Sequence, residues 1–333
     1  MQIIINQIKV EVLKGETLIE VSRRTGYDIP SLCYAKDAVH KASCMVCAVK
    51  DCSTGQILPS CTTLPTEGMN IDTESDEVRN SRNLSLELLL SDHRADCEAP
   101  CSMVCPQGLD IEQMLNLYDT DKHKEAFVLI ADSFTLPVLG CDECKVPCEK
   151  ICRRASIDKA VQIREIIKEL AGKYPSPTLP TGEGVEYVPT SAEAKKENKG
   201  DKTLYQSRLG RFTTREKEWL KENITTPSGC LHCACTGRDG CKLRLHATAA
   251  GIKRPRYEAS STTPVMRKQH VTGEIWFEPA KCIRCGLCVY NTKNGFTFKD
   301  RGFGMQIVIP DENKANVNEE IVGLCPTGAL YSG

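Results

Sequence analysis

Four separated groups of cysteine constrain what this chain can fold into. They lie at 33–61, 97–152, 230–241 and 282–325, and they take all but Cys52 of the twenty cysteines in 333 residues. Aromatic residues are only 5% of the chain, so something other than a large aromatic core must organise it. Cysteine at this density marks either a disulfide scaffold or bound metal, and the compartment decides between them. The opening MQIIINQIKVEVLKGE carries charges throughout and reads as neither a secretory signal nor a transit peptide. No apolar run approaches the roughly 18 residues of a membrane span. A reducing, cytoplasmic location is therefore expected, and in it the cysteines read as metal ligands. Lys and Arg (43) balance Asp and Glu (44), which gives no footprint for nucleic acid. No phosphate-cradling glycine loop is present, so the chain is expected to bind no nucleotide itself.

The element pattern between the groups is mixed, giving a multidomain α+β class. QIII and IKVEV read as two short strands broken at Asn6 and Gln7, and TLIEVSRRTG as a short helix ending at Gly26. DEVRNSRNLSLELLLSDH predicts a helix with an apolar face at Leu84, Leu88 and Leu89 that delivers His93 at its end. SIDKAVQIREIIKELAGK predicts another amphipathic helix. Residues 173–212, rich in proline, glycine and charge, read as a linker or an extended wrap. TTREKEWLKEN resumes helix, with Thr213 and Glu216 at capping-box spacing. GFTFKDRGFGMQIVI reads as a hairpin. The expected domains are 1–76, 77–172, the linker 173–212, a four-cysteine segment 213–260, and 261–333.

Each group has its own chemistry. Cys33, Cys44, Cys47 and Cys61 are spaced C-x10-C-x2-C-x13-C, a wide loop that can wrap one iron with a tight pair and reach a second from farther along. The second group has Cys97, Cys101, Cys105, Cys141, Cys144, Cys148 and Cys152. Two 4Fe-4S cubanes need eight ligands, and His93 stands where the eighth would be. Cys230, Cys233, Cys235 and Cys241 can close around one centre, either a 4Fe-4S cluster or zinc. His232 is then a neighbour, since four cysteines already saturate that site. Cys282, Cys285 and Cys288 form a C-x2-C-x2-C run that Cys325, followed by Pro326, completes as a cubane. The positions that would serve a second ferredoxin cluster, Thr292, Ala315, Asn318 and Ile321, cannot hold iron well.

These motifs carry resemblances. The first group, with its strand pair and helix, resembles the β-grasp 2Fe-2S ferredoxin domain that opens the large iron–sulfur subunit of respiratory complex I and several hydrogenases and formate dehydrogenases. LSLELLLSDHRADC is similar to the complex I segment in which a histidine begins a cubane site. CEAPCSMVCPQGLDI and GCDECKVPCEKICRRASIDKAVQI resemble the helical two-cluster domain of glutamate synthase small subunits and dihydropyrimidine dehydrogenase. The last group resembles bacterial ferredoxins, as found in complex I and FeFe-hydrogenases. The interleaving of the helical domain implies that His93, Cys97, Cys101 and Cys152 hold one 4Fe-4S cluster, and Cys105, Cys141, Cys144 and Cys148 the other. That family's non-cysteine ligand falls at Ile167, so a cysteine at 141 or 144 must replace it.

One 2Fe-2S cluster and three to four 4Fe-4S clusters, with zinc the alternative at the third group, imply an electron-transfer subunit of a multi-subunit oxidoreductase without its own substrate site. The resembled helical domain packs beside a fused FAD domain, and this chain ends without one. The implied partners are thus an FAD- and NAD(P)H-binding flavoprotein and a further redox subunit of hydrogenase, formate dehydrogenase or diaphorase type. Two other classes stay open: a metal scaffold with zinc in some sites, and a redox enzyme with a catalytic cluster at the third group. The charged KRPRY at 253–257 reads as a docking turn rather than a nucleic-acid patch.

Overall fold

The computed structural model describes residues 1–93, 96–134, 141–174, 214–235, 240–253, 256–257 and 268–332. Nearly all of the expected linker, residues 175–212, lies outside them, as do Thr213 of the proposed capping box and Arg254 and Pro255 of KRPRY. The chain divides into two compact units, one of residues 1–94 with 236–333 and one of residues 95–235.

The first unit opens with strands β1 (Gln2–Ile5) and β2 (Ile8–Glu11), turned by Asn6 and Gln7. Both turn residues have positive φ, 46° and 71°, which matches the twist of a tight hairpin. Helix α1 (Leu18–Arg24) follows, with a capping box between Thr17 and Glu20. Strands β3 (Ala48–Asp51), β4 (Gln56–Pro59) and β5 (Asn70–Asp72) complete a five-stranded sheet in the order β2-β1-β5-β3-β4. The β1–β5 pair is parallel and the other pairs are antiparallel. Ile3, Ile5, Leu18, Ile19, Val21 and Ile71 are buried together with the four thiols of the first group.

Helix α2 (Asp76–Asp92) lies against β3, with the Arg82 Nε–H donating to the Ala48 carbonyl at 2.8 Å. Its buried face is Val78, Leu86 and Leu90, whereas Leu84 and Leu88 are exposed. This corrects the face expected from sequence. Residues 78, 82, 86 and 90 recur at i+4 and make the stripe that meets the sheet, and a shift of two residues turns a side chain about 200° away from it.

The second unit is helical: α3 (Pro100–Val104), α4 (Ile111–Asp119), α5 (His123–Ser133), α6 (Pro147–Lys150), α7 (Ile163–Lys173) and α8 (Thr214–Asn223). Helix α5 packs on α4 and α7, and α3 on α6. Ile163, Ile166, Ile167 and Leu170 of α7 are buried at i, i+3, i+4 and i+7, as an amphipathic helix requires. The core they enter also contains Leu109, Met114, Ala126 and Ile130, and it includes the buried Cys101, Cys141, Cys148 and Cys230.

The chain then returns to the first unit through α9 (Lys242–Ala249), β6 (Gln269–Thr272), β7 (Ile275–Phe277), α10 (Leu287–Tyr290), β8 (Thr297–Lys299), β9 (Gln306–Val308), α11 (Glu320–Leu324) and β10 (Leu330–Ser332). Strands β10, β7 and β6 form one sheet in that order, and β8 with β9 forms the expected hairpin. Their core holds Phe277, Phe296, Ile307, Val317 and Ile321. The unit boundary therefore cuts the expected 213–260 segment in two and groups α2 with the N-terminal sheet.

Candidate metal centres

No disulfide joins any of the cysteines, and Cys52 is exposed and apart from the rest. Among the described residues, no three His, Cys, Asp or Glu side chains are arranged to hold a single metal ion.

In the first group the loop between α1 and β4 brings Cys33, Cys44, Cys47 and Cys61 together, all buried. Cys33 is hydrogen-bonded with Cys44 and Cys61, and its pKa is driven down by them, with backbone N–H groups of Ser43 and Cys44 adding to the effect. Cys47 is lowered to about 6, first by its hydrogen bond with Cys61. Their partners Cys44 and Cys61 are correspondingly raised. Four thiols in mutual contact, with backbone donors aimed at sulfur, fit a thiolate-ligated cluster.

Cys282, Cys285, Cys288 and Cys325 line a cavity of about 300 Å³ with Phe277, Ile307 and Leu330. Arg284 takes a left-handed φ of 56°, and its N–H donates to the Cys282 Sγ at 3.3 Å. The Leu330 N–H donates to the Cys325 Sγ at 3.4 Å. Burial pushes the Cys282 thiol up to about 12, and burial with the neighbouring thiols raises Cys285 and Cys288 as well. Cys33 is among the groups that raise Cys285, so the first and fourth groups are electrostatic neighbours within this unit. Gly286 has φ +81°, and a Cβ there would meet Tyr290 Cε2 at 2.7 Å and Phe298 Cζ at 2.9 Å. Where a second ferredoxin cluster would sit, Ile321 is core and the Thr292 hydroxyl donates to the Cys288 carbonyl at 2.6 Å.

His93 caps the end of α2, buried at 8% exposure. Burial, and then the Lys281 charge, lower its pKa to about 4, against a hydrogen bond to the Lys281 backbone that pulls it up. A ring N–H given to a backbone carbonyl fixes the tautomer, and it is the arrangement a metal-ligating imidazole commonly has. Cys241 is in the same unit as the N-cap of α9, its Sγ accepting from the Arg244 N–H at 3.4 Å. The next residue, Lys242, donates its N–H to the Pro326 carbonyl at 2.8 Å.

In the helical unit Cys141 feels the charges of Cys144 and Cys105, and Cys148 those of Cys105 and Cys141. Burial comes first in raising both Cys141 and Cys148, the latter to about 12. Ile167 packs in the surrounding core rather than offering a ligand. Cys101 and Cys152 turn instead toward Cys230 and Cys233, and the four line one cavity of about 350 Å³ with Ala99, Pro100, Val161 and Ile163. This differs from the expected pairing, which gave Cys101 and Cys152 to His93 and Cys97, and Cys230 and Cys233 to Cys235 and Cys241. The segments of Cys97 and Cys235 are joined by a parallel bridge between Asp96 and Ala234, with the Cys235 N–H donating to the Asp96 carbonyl at 3.0 Å.

Several residues around these thiols had no motif to announce them. Asp96, fully buried, pairs with Arg153 at 3.1 Å and so ties the Cys97 and Cys152 segments. Arg154 Nη1 donates to the Gly229 carbonyl at 2.5 Å, beside Cys230. His232 stands 3.0 Å from Glu112 Oε1 and 3.2 Å from Asp119 Oδ2. Charged residues directly flanking cysteines were the only signal available.

Residues 1–76 match the family of 2Fe-2S iron–sulfur cluster binding domains, and residues 81–174 match domain II of dihydropyrimidine dehydrogenase, a 4Fe-4S cluster domain. The protein is thus a multidomain α+β iron–sulfur protein, and the 2Fe-2S and helical 4Fe-4S domain resemblances read from the sequence hold. More particularly, its homologues are iron–sulfur subunits of NADH- and NADPH-linked oxidoreductases and hydrogenases.

The NADP-reducing hydrogenase subunit HndD of Solidesulfovibrio fructosivorans is 39% identical over 30% of this chain and 17% of its own length. The NADH-ubiquinone oxidoreductase 75 kDa subunit of Reclinomonas americana is 28% identical over 36% of this chain and 17% of its own. The NADPH-Fe(3+) oxidoreductase subunit alpha of Geobacter sulfurreducens is 24% identical over 74% of this chain and 28% of its own. The chain therefore spans less than a third of each of these relatives. The structure of an NAD+-reducing [NiFe]-hydrogenase superposes on 99% of this chain and 86% of its own with a TM-score of 0.50 at 14% identity, a likeness of fold. No described helix is long and apolar enough to cross a membrane.

Proposed function

We propose that this chain is the wiring of a multi-subunit oxidoreductase, relaying single electrons between an FAD- and NAD(P)H-dependent flavoprotein and a further redox subunit of hydrogenase, formate dehydrogenase or diaphorase type. The observation that carries the reading is the contact between the first and fourth cysteine loops within one unit. It puts the 2Fe-2S loop beside the ferredoxin loop. The two loops are joined there by hydrogen bonds in both directions between Asn291 and the Val39 backbone, at 3.0 and 2.8 Å.

A 2Fe-2S cluster on Cys33, Cys44, Cys47 and Cys61 can then exchange electrons with a 4Fe-4S cluster on Cys282, Cys285, Cys288 and Cys325. A further 4Fe-4S cluster belongs to Cys105, Cys141, Cys144 and Cys148. His93 serves as a neutral ligand, its tautomer set by the Lys281 carbonyl. Iron–sulfur centres tuned by ligand, charge and burial cover about −700 to +450 mV, which suits a chain that splits electron pairs into single steps. The relatives named as NADH-linked, NADP-linked and NADPH-linked subunits support a flavoprotein partner.

Metal analysis of anaerobically purified protein, with EPR during reduction, tests the reading. One 2Fe-2S and three or four cubanes give about fourteen or eighteen irons per chain. Reduction of both cluster types by NAD(P)H should require the flavoprotein. Zinc in place of most of the iron, in protein shown not to have lost clusters, would leave a metal scaffold instead.

A further inference from the structure

We infer that Cys101, Cys152, Cys230 and Cys233 hold one 4Fe-4S cluster, assembled from three remote segments of the helical unit. The inference rests on the iron–sulfur reading above and deepens it.

Three observations converge. The four thiols, and no other thiol, line one pocket, as Cys282, Cys285, Cys288 and Cys325 line the ferredoxin-type site. Among the described residues no three such side chains close around a single metal ion, as zinc would require. Four thiols around one space are the ligand set of a 4Fe-4S cluster.

The second observation is the loop itself. Cys230-Leu231-His232-Cys233 repeats the backbone of Cys282-Ile283-Arg284-Cys285: its third residue is left-handed, with φ 48° at His232 against 56° at Arg284. In both loops that residue's N–H donates to the first cysteine's Sγ at 3.3 Å. A non-glycine residue held in this region twice, at the same place in two C-x2-C turns, indicates a shared purpose rather than accident.

Third, the turn is fastened to the unit that supplies the other two ligands. The His232 ring lies between Glu112 and Asp119 of α4, and Asp119 also accepts from the Ser228 N–H and hydroxyl, both at 2.6 Å. From the opposite side Arg154, two residues past Cys152, grips the Gly229 carbonyl. The 230–233 turn is thereby fixed against the Cys101 helix and the Cys152 segment. A ligand pair supplied from 78 residues farther along than Cys152 needs such fastening.

The test uses the full chain purified without oxygen. Cys101→Ser and Cys230→Ser should each alter or abolish the same EPR signal, and the double variant should lose about four irons, no more than one cubane. Cys235→Ser should leave that signal in place. Two different signals lost, about eight irons gone in the double variant, or Cys235→Ser removing the Cys230-dependent signal would overturn the pairing. Anomalous diffraction at the iron and zinc edges from unsubstituted crystals decides the case without any variant. Four irons among these sulfurs are expected, and a single zinc there, with iron at the 282–325 site, overturns this inference alone. Absence of iron from every site would remove the iron–sulfur reading with it.

Discussion

The two cavities make an instructive pair. The ferredoxin-type site takes three thiols from seven consecutive residues, Cys282 to Cys288, and only Cys325 comes from a distance. The helical unit's cavity takes Cys101 from α3, Cys152 from the turn after α6, and Cys230 with Cys233 from the segment that follows α8. Each is lined by four thiols, and each contains one C-x2-C turn of the same backbone shape. The first geometry is set by a short loop, while the second exists only when the surrounding helices are packed. Cys101, Cys141, Cys148 and Cys230 are buried members of the helical core, and at the ferredoxin-type site Cys285 and Cys288 are buried while Cys282 and Cys325 pack at the edge of the core.

The largest expected effect separates the two regions by metal removal. Chelation under anaerobic conditions should melt the helical unit first, because a core threaded with ligands loses its cross-links along with its metal. The N-terminal sheet, with an apolar core of Ile3, Ile5, Leu18 and Ile71, should survive longest. Limited proteolysis followed by mass spectrometry reads the order, and early cleavage within residues 1–76 would contradict the comparison.

Next in size are core truncations. Leu170→Ala, at a fully buried position of α7, should cost about 2–5 kcal/mol of the helical unit's stability. Ile321→Ala should cost a similar amount around the ferredoxin-type site, since hydrophobic packing there occupies the place of a second cluster. Thermal melts of holo-protein measure both, and a neutral Ile321→Ala would mean that this packing is dispensable.

The paired glycines come third. Gly286→Ala meets two aromatic rings and a φ of +81°, and should cost about 1–3 kcal/mol and perturb the ferredoxin-type cluster's EPR signal. Gly229 has a similar left-handed φ of +69°, but a Cβ there meets only the Arg154 guanidinium, and that side chain can swing away. Gly229→Ala should therefore cost less, yet it breaks the grip on the Cys230 turn. Equal behaviour of the two variants would blur the distinction between a locally built and a remotely fastened site.

The smallest effect is electrostatic. Arg154 also bonds Asp158, at 3.0 Å through each of two nitrogens, and holds its pKa down to about 2. A carboxylate with a depressed folded-state pKa contributes stability that is present above its unfolded value near 3.9 and is lost as pH falls toward 2. Asp158 is about a third exposed, so the pair is worth at most about 1 kcal/mol. Asp158→Asn should flatten the acid limb of the helical unit's stability between about pH 4 and 2. An unchanged limb would assign the acid sensitivity to other groups.

Much of this was legible from residue spacing. The hairpin at Asn6 and Gln7, the α7 stripe, the β8–β9 hairpin and the thiols of the first and fourth groups are local patterns, and the structure brings each together. The buried face of α2 was misread because five leucines in seven residues fit more than one stripe, and only the partner sheet selects Leu86 and Leu90. The pairing among Cys101, Cys152, Cys230 and Cys233 left no trace in spacing, since the interval between Cys152 and Cys230 crosses two helices and a long proline-rich stretch.

By itself the sequence determined that the thiols fall into several spaced sets of the kind that bind iron, and it grouped the thiols of the first and fourth sets, because few backbone conformations connect residues as close as Cys44 and Cys47 or Cys282 and Cys285. Which of the remaining thiols share a cavity was decided by tertiary structure alone. Helix packing, the Asp96–Arg153 pair, the Arg154–Gly229 contact and the seat of His232 between two carboxylates bring distant segments to a common point. No local rule encodes a meeting that depends on the whole fold of the unit.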